Sequence, residues 1–410
     1  MKNKIILVAL VVGLVNSIFA QTADEDLWGR TNGRLVTSAV PFLLFAPDAR
    51  SSGMGDVGAA TSPDANAMFW NASKLAFLET KSGASLSYSP WLRKLVNDMY
   101  LGYFSGYTKL SDQETVGLGL RYFNLGSMTF TDNEGEIVKT FEPKEFEVTG
   151  AYARKLSDNF SMSIGLKYIH SNLTGGYSNS GGSSKPGNAA AGDVSAFYTS
   201  DKFMVAGYPM KISAGASLAN LGSKISYSEG GEGDFLPGNM RLGVTGEFEI
   251  DQYNKISLSI DANKLLVPTP PVYALDSNGQ RIQDDGGGYV IESGKDPNRS
   301  YLNGVFGSFT DAPDGFSEEM SEFILNFGAE YWYGDLFAVR GGYFYESVLK
   351  GGRQYFTAGI GLKYQVLEIN MSYLIPRGQA SPLADTLRFS ILVNIGDSKE
   401  AGSVTDGASN

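Results

Sequence analysis

The sequence predicts an all-β protein: a 14-stranded antiparallel transmembrane β-barrel with a short amino-terminal helical or plug segment. Three observations carry that prediction. Apolar and polar residues alternate with period two through most of the chain, short and long connections alternate along it, and the composition is rich in glycine and aromatics. Of 410 residues 50 are Gly, and Phe (24), Tyr (22) and Trp (4) match that number. Glycine at this level without a collagen-like repeat marks a chain of many strands and turns.

In chain order, residues 1–20 read as a secretory signal peptide. Lys2 and Lys4 supply the positive start, Ile5 to Val15 the apolar core, and Ile18-Phe19-Ala20 a cleavage site before Gln21. The apolar run falls short of the ~20 residues of a spanning helix. Residues 21–82 show little alternation and are expected to form a plug or helical segment, with Ala67, Met68, Leu75 and Leu78 lining one helical face. Residues 83–396 are expected to form the barrel. Within them Phe160, Met162, Ile164, Leu166 and Tyr168 alternate with Ser161, Ser163, Gly165 and Lys167. Leu387, Phe389, Ile391, Val393 and Ile395 alternate with Arg388, Ser390, Leu392 and Asn394. Such a strand separates lipid from a polar lumen, although a soluble sandwich shows the same period.

The connections decide between the two. Short turns are expected at 109–114, 155–159, 200–202, 250–255, 334–336 and 364–366. Longer segments fall at 90–98, 126–141, 171–189, 221–238, 265–320, 347–352 and 376–384. Their strict alternation gives an even strand number with short turns at one end and long loops at the other, the layout of an outer-membrane barrel. Aromatics at strand ends, such as Tyr331, Trp332 and Tyr333, suit interfacial girdles. On this layout both termini are periplasmic and the long loops extracellular. The segment 265–320 far exceeds ordinary loop length and opens stiffly with Pro268, Pro270 and Pro271, which makes it a candidate functional loop. Residues 397–410 form a polar tail.

Charge and composition exclude several functions. Lys and Arg number 33 against 44 Asp and Glu, a formal charge of −11, and loss of Lys2 and Lys4 with the leader takes it near −13. That balance opposes nucleic-acid binding. No cysteine is present, so disulfides, thiolate metal sites and thiol nucleophiles are excluded, and His170 is the single histidine. Gly53-Met54-Gly55-Asp56-Val57-Gly58 fits a dinucleotide fingerprint by letter but lacks βαβ context, so close backbone packing is the expected role. His170 and Ser171 are adjacent on a strand and must face opposite ways, so they do not form a nucleophile–base pair. Asp132, Glu134 and Glu136 lack the distal glutamate of a calcium loop. The lumen-facing charges Lys167, Arg241, Glu247, Glu330, Arg340 and Arg388 either pair with one another in the interior or set the selectivity of a pore. No catalytic residue, metal site or cofactor is signalled, and the chain reads as a non-enzyme. The segment 90–98 sets Trp91, Leu92 and Leu95 beside Arg93, a combination that suits either a protein partner or the headgroup girdle.

Further residues carry a family resemblance. They are Pro41-Phe42-Leu43-Leu44-Phe45-Ala46-Pro47-Asp48-Ala49-Arg50, Gly53-Met54-Gly55, Thr61-Ser62-Pro63-Asp64-Ala65 and Trp70-Asn71. With Ser89-Pro90-Trp91-Leu92-Arg93 and Val96-Asn97-Asp98, they resemble the PorV (LptO) family of type IX secretion, within the wider fatty-acid-transporter-like (FadL) barrels. The likeness runs from about residue 37 to residue 395, and its amino-terminal block is the most specific part. Ala72 departs from the family pattern, which has proline after Trp-Asn, and the last residue is not the usual terminal aromatic. The resemblance implies an outer-membrane component that binds carboxy-terminal signal domains of secreted proteins at the large translocon barrel. It would then carry them to a surface attachment complex containing a sortase-type protease. The wider group implies a second reading, a transporter of hydrophobic small molecules.

Overall fold

A computed structural model of the chain describes residues 34–93, 96, 98–131, 135–176, 184–229, 233–284, 286–377 and 386–396. The expected signal peptide, residues 21–33, Leu95, Asp132, Glu134 and the tail 397–410 lie outside the described residues. Fourteen antiparallel strands close into one barrel. They are β1 (Ser82–Pro90), β2 (Tyr100–Lys109), β3 (Glu114–Asn124), β4 (Lys144–Lys155), β5 (Phe160–Asn172), β6 (Gly187–Thr199) and β7 (Tyr208–Gly222). The second half comprises β8 (Asn239–Glu249), β9 (Asn254–Leu265), β10 (Ile324–Tyr333), β11 (Phe337–Tyr345), β12 (Gln354–Tyr364), β13 (Leu367–Pro376) and β14 (Leu387–Ile395). Each strand pairs with its sequence neighbours, and β1 closes on β14 with Ser82 opposite Ile395.

The period-two pattern becomes the two faces of this wall. On β5, Met162, Ile164, Leu166 and Tyr168 are exposed outward, while Ser161, Ser163 and Lys167 are buried inward. On β13, Ile369, Met371, Tyr373 and Ile375 face out, and Asn370, Ser372 and Leu374 face in. An apolar outer band over a polar interior is what a closed barrel in lipid requires, because every backbone group is already paired. Short and long connections fall at opposite ends as the sequence predicts, with one difference. The turn after β6 extends beyond 200–202, because Phe203–Val205 folds back on Tyr208–Met210 through Ala206 and Gly207, both at positive φ. Two successive positive-φ residues give the turn twist that a tight hairpin needs.

The interior is filled by residues 34–81. Ala67, Met68, Leu75 and Leu78 are all buried, but the segment that carries them is not one helix. It is built from two short pieces, α2 (Ala67–Trp70) and a 3-10 turn (Ala72–Phe77), which follow the earlier turn α1 (Ala49–Ser52). Asn71 makes the break: its backbone is extended and its side chain accepts from Ser73 N. Ala72 therefore occupies the first position of a helical turn, where proline is favoured and the residue before it is already extended. Ala72→Pro is expected to keep the fold and raise stability by about 0.4–1 kcal/mol, read as a higher urea midpoint in detergent. A lower midpoint would show that the ring clashes in this packed site.

The described part of this segment runs from one end of the barrel to the other. Both ends of the barrel lie at the short-turn end, where Lys109 N donates to Lys81 O beside Ile395. The first described residues lie at the other end. Arg34 is held by Asp314 and Glu318 of the loop between β9 and β10, and Ala39 N donates to Phe235 O in the loop after β7. The chain enters the lumen from the long-loop end and threads it before starting β1. A segment without periodicity gives no sequence signal of its direction.

Candidate functional site: the gripped plug and the loop rim

The plug is fixed by three kinds of contact. The first is close backbone packing against inward-facing glycines. A Cβ on Gly342 would lie 2.1 Å from Gly55 N, one on Gly215 2.0 Å from Ala59 O, and one on Gly328 2.6 Å from Met54 O. This is the close approach expected of the Gly53–Gly58 run, with β-strands, not a dinucleotide, on its other side.

The second is hydrogen bonding from wall side chains to the plug backbone. Asp261 accepts from Gly58 N and Ala59 N at 2.7 and 2.9 Å. Thr357 Oγ1 accepts from Gly55 N, Asn326 Nδ2 donates to Gly55 O, and Arg121 donates to the carbonyls of Phe42, Leu43 and Phe45.

The third is ionic. Arg50 places Nε and Nη2 on the two oxygens of Glu330, at 3.1 and 2.9 Å, and Nη1 on Asp64 at 2.9 Å. Arg340 Nε shares Glu330 at 2.7 Å, and its Nη1 donates to Asn370. A bidentate guanidinium–carboxylate pair fixes orientation as well as charge. The other lumen charges join in. Arg241 donates to Trp70 O and Asn263, Lys167 sits on Asp193 at 3.0 Å and on Asn220, and Arg388 lies 3.7 Å from Asp56. Glu247 is half-buried near the short-turn end, opposite Lys211 and Ser257. Among these six, Glu330 and Arg340 pair with each other, Lys167 and Arg388 lie beside other carboxylates, and Arg241, Glu330 and Arg388 touch the plug directly. Asp261 and Arg121 carry no signal of this role in the sequence, since an inward acid or arginine reads alike whether it faces water or a buried segment.

The segment after β1 departs from the sequence expectation. Trp91 is only 6% exposed. Its ring stacks on Phe45 with centroids 4.3 Å apart and meets Phe123 edge-on. Leu92 packs against the same cluster, which also holds Val40, Phe42 and Leu43. Trp91 therefore seats the plug at the long-loop end, half-buried Leu92 packs beside it, and Arg93 alone of the three is exposed. His170 and Ser171 point to opposite faces as the strand geometry demands, with His170 Nδ1 near Asn188 and Ser171 bonded to Glu145. Among the described residues, no group of acidic or histidine side chains is placed to hold a metal.

The long loop is ordered in its described residues. Pro268 and Pro271 are buried and Pro270 is half-buried, so the stiff start lies against the barrel mouth. Two short helices follow, α3 (Tyr301–Gly307) and α4 (Phe316–Ser321). Helix α4 is clamped by ion pairs that are buried, save for the exposed Asp314. Lys264 meets Glu319 and Glu322, Lys350 meets Glu318 and Glu322, and Arg34 meets Glu318 and Asp314. This clamp joins the loop, the neighbouring hairpin and the lead into the plug. Its upper side leaves Leu302, Phe306, Phe316 and Met320 exposed.

Burial opposes ionisation of Glu318, but its bonds from Arg34 and Lys350 outweigh that and hold its pKa at about 2. A carboxylate depressed from its ordinary 4.5 stabilises the fold fully above that value, and the contribution is lost as pH falls towards 2. Hydrogen exchange in 314–322, corrected for the intrinsic pH effect, is expected to accelerate between pH 4.5 and 2. In Glu318→Gln it should already be fast at pH 6. Equal protection of the two proteins at pH 6 would show that the clamp does not hold the helix.

A match to the family described as Type IX secretion system protein PorV covers residues 29–272. No curated protein matches the sequence. Among solved structures the chain is similar to the Pseudomonas putida toluene transporter TodX, with 12% identity over 88% of this chain and 98% of that one and a TM-score of 0.45. The Ralstonia pickettii toluene transporter TbuX gives 12%, 84%, 96% and 0.42, and a Pseudomonas aeruginosa FadL homologue 11%, 88%, 99% and 0.40. Likeness this remote transfers nothing about what those proteins carry. The family match spans more than half of the sequence, including the described plug residues and the first nine strands, and on that ground the chain belongs to the PorV family of type IX secretion system outer-membrane barrels.

Proposed function

We propose that this protein is the cargo-handling barrel of the type IX machine. It binds folded carboxy-terminal signal domains of secreted proteins as they leave the large translocon barrel, and it carries them to the surface attachment complex with its sortase-type protease. In this reading residues 1–20 direct export and are removed, the long loops face the outside, and the protein performs no chemistry of its own. The observation that supports it best is the gripped plug. With plug backbone seated against Gly215, Gly328 and Gly342, the lumen is occupied, and the working surface must be sought on the loops. Exposed Arg93 and the clamped α3–α4 unit are candidate parts of that surface. A mobile barrel in the membrane with an ordered loop surface suits a shuttle, because affinity resides in a few preorganised side chains.

The test is affinity purification of the tagged protein from detergent-solubilised outer membranes, with mild crosslinking and mass spectrometry. A very large barrel protein, together with exported proteins sharing a carboxy-terminal β-domain, is the expected result. A lone barrel carrying bound fatty acid would overturn it in favour of a transporter of hydrophobic small molecules.

A further inference from the structure

Helix α4 is built the wrong way round for a helix in water. A surface helix ordinarily turns its apolar residues inward and its charges out. In α4 Glu318 and Glu319 are buried in the clamp, while Phe316 and Met320, one turn apart on the other side, are exposed. Phe316 is 77% exposed, and on α3 the pair Leu302 and Phe306 extends the apolar face, with Phe306 at 73%. Buried ion pairs are seldom more stabilising than apolar residues of the same volume. Stability alone therefore favours the opposite orientation, and the clamp holds an aromatic face outward against that preference.

The charges around this face say what it meets. Helices that lie on a membrane combine an apolar face with Lys and Arg, which meet anionic headgroups. Here the sign is reversed. Lys264, Lys350, Arg34 and Arg299 are each held by a carboxylate of the long loop. Asp276, Asp284, Glu292 and Asp296 stand exposed in the same loop, against the exposed cations Arg281 and Lys295. Arg281 is itself stacked on Tyr273 and Tyr289, 4.7 and 5.5 Å from their ring centroids. The result is an apolar face in an acidic surround.

The acidic part is preorganised. Its root lies beside α4, where Gly294 packs against Pro271 and Pro313. Ala274 N donates to Val290 O, Val290 N to Ile282 O and Ile282 N to Ala274 O, each at 2.9 Å. This closed ring of bonds leaves no free strand edge at that level, so contact there is made by side chains and not by strand addition. Asp276 and Asp284 hold matching turns, each accepting from the backbone N–H groups two and four residues on.

We propose that the α3–α4 face with its acidic surround is the docking surface for the secreted β-domain, whose matching surface sets apolar side chains among Lys and Arg. This inference rests on the cargo-handling role proposed above and adds to it the place and the chemistry of contact. Aromatic side chains at the centre and charges at the rim make an interface in which a few residues carry the affinity. The acidic rim selects and speeds encounter with a basic partner, and the apolar centre sets how long it stays.

The test is binding of the purified full chain, held in nanodiscs, to the isolated carboxy-terminal β-domain of the exported protein most abundant in the purification above. Wild type should bind, and more weakly as salt is raised. Phe306→Ser/Phe316→Ser should weaken binding about thirtyfold, mostly through faster dissociation. Asp276→Asn/Asp284→Asn/Glu292→Gln keeps size and removes charge, and should both weaken binding about fivefold and flatten its salt dependence. Ile137→Ser, the same kind of change at an exposed residue of another loop, should leave binding unchanged. Each variant is first checked for the heat-dependent gel shift of a folded barrel, and if the aromatic variant fails that check the charge variant decides. Binding that survives the aromatic substitutions would overturn this inference and leave the cargo role standing, including the case where they abolish only self-association and so assign the face to a second copy. No binding by wild type would sink the cargo role, and this inference with it.

Discussion

Replacing Glu330 with glutamine should unseat the plug and cost the folded barrel about 3–5 kcal/mol. One carboxylate serves two guanidiniums here, Arg50 from the plug and Arg340 from β11, and all three side chains are buried. Glutamine keeps the shape but removes the charge, leaving two cations close together where solvent does not screen them. The resulting strain is relieved when Arg50 withdraws, which takes α1 and the Gly53–Gly58 run with it. The chain has no cysteine, so a single reporter is clean. Ala60→Cys, fully buried in the plug, should react with a maleimide at least tenfold faster in the Glu330→Gln background. Replacing Arg50, Glu330 and Arg340 together by apolar residues of similar volume should restore slow labelling, because it is an unpaired charge and not a missing pair that is costly. Equal labelling with and without Glu330 would show that backbone packing alone holds the plug.

The barrel was legible because its determinants are local. A period of two, short turns and strand-length apolar faces are written into consecutive residues, and their number fixes an even, closed wall. The plug was legible as a departure from that period, though not in its direction. What orders residues 34–81 is contact with strands and loops far away in sequence, and nothing within the segment records that Arg34 meets Glu318. Trp91 shows the same limit. In sequence it is an aromatic beside cations on a loop, which suits a partner surface, but its partner proves to be Phe45 inside the protein. The inward glycines carried a signal that was only half used. They occupy the polar phase of their strands, so alternation places Gly215, Gly243, Gly328 and Gly342 inside. A lumen filled with water would have no need to strip side chains from four strands. A cluster of inward glycines is thus itself evidence for a segment pressed against that arc of wall.

That reading of the glycines leads to a sharp contrast between two substitutions. Gly342→Val is expected to abolish plug docking, while Gly150→Val changes stability by no more than about 0.5 kcal/mol. At Gly342 the added Cβ lands 2.1 Å from Gly55 N and from Met54 C, and these are backbone atoms pinned by Thr357 and Asn326. They do not yield as the end of a flexible side chain does, so either the plug moves outward or β11 bends. Bending is opposed on both flanks, where β11 is paired along its length with β10 and β12. The plug therefore gives way, and the Ala60→Cys reporter should be labelled as fast as in Glu330→Gln. At Gly150 the new side chain enters the lipid-facing band with nothing within 4 Å, and a β-branched residue suits both strand and lipid there. The wall should stay closed in both proteins, since neither change breaks a strand pair, and the heat-dependent gel shift should survive in each. Loss of that shift in Gly342→Val would mean that the barrel cannot close without its plug. The segment 34–81 would then be a core around which the strands assemble, not an insert in a finished wall.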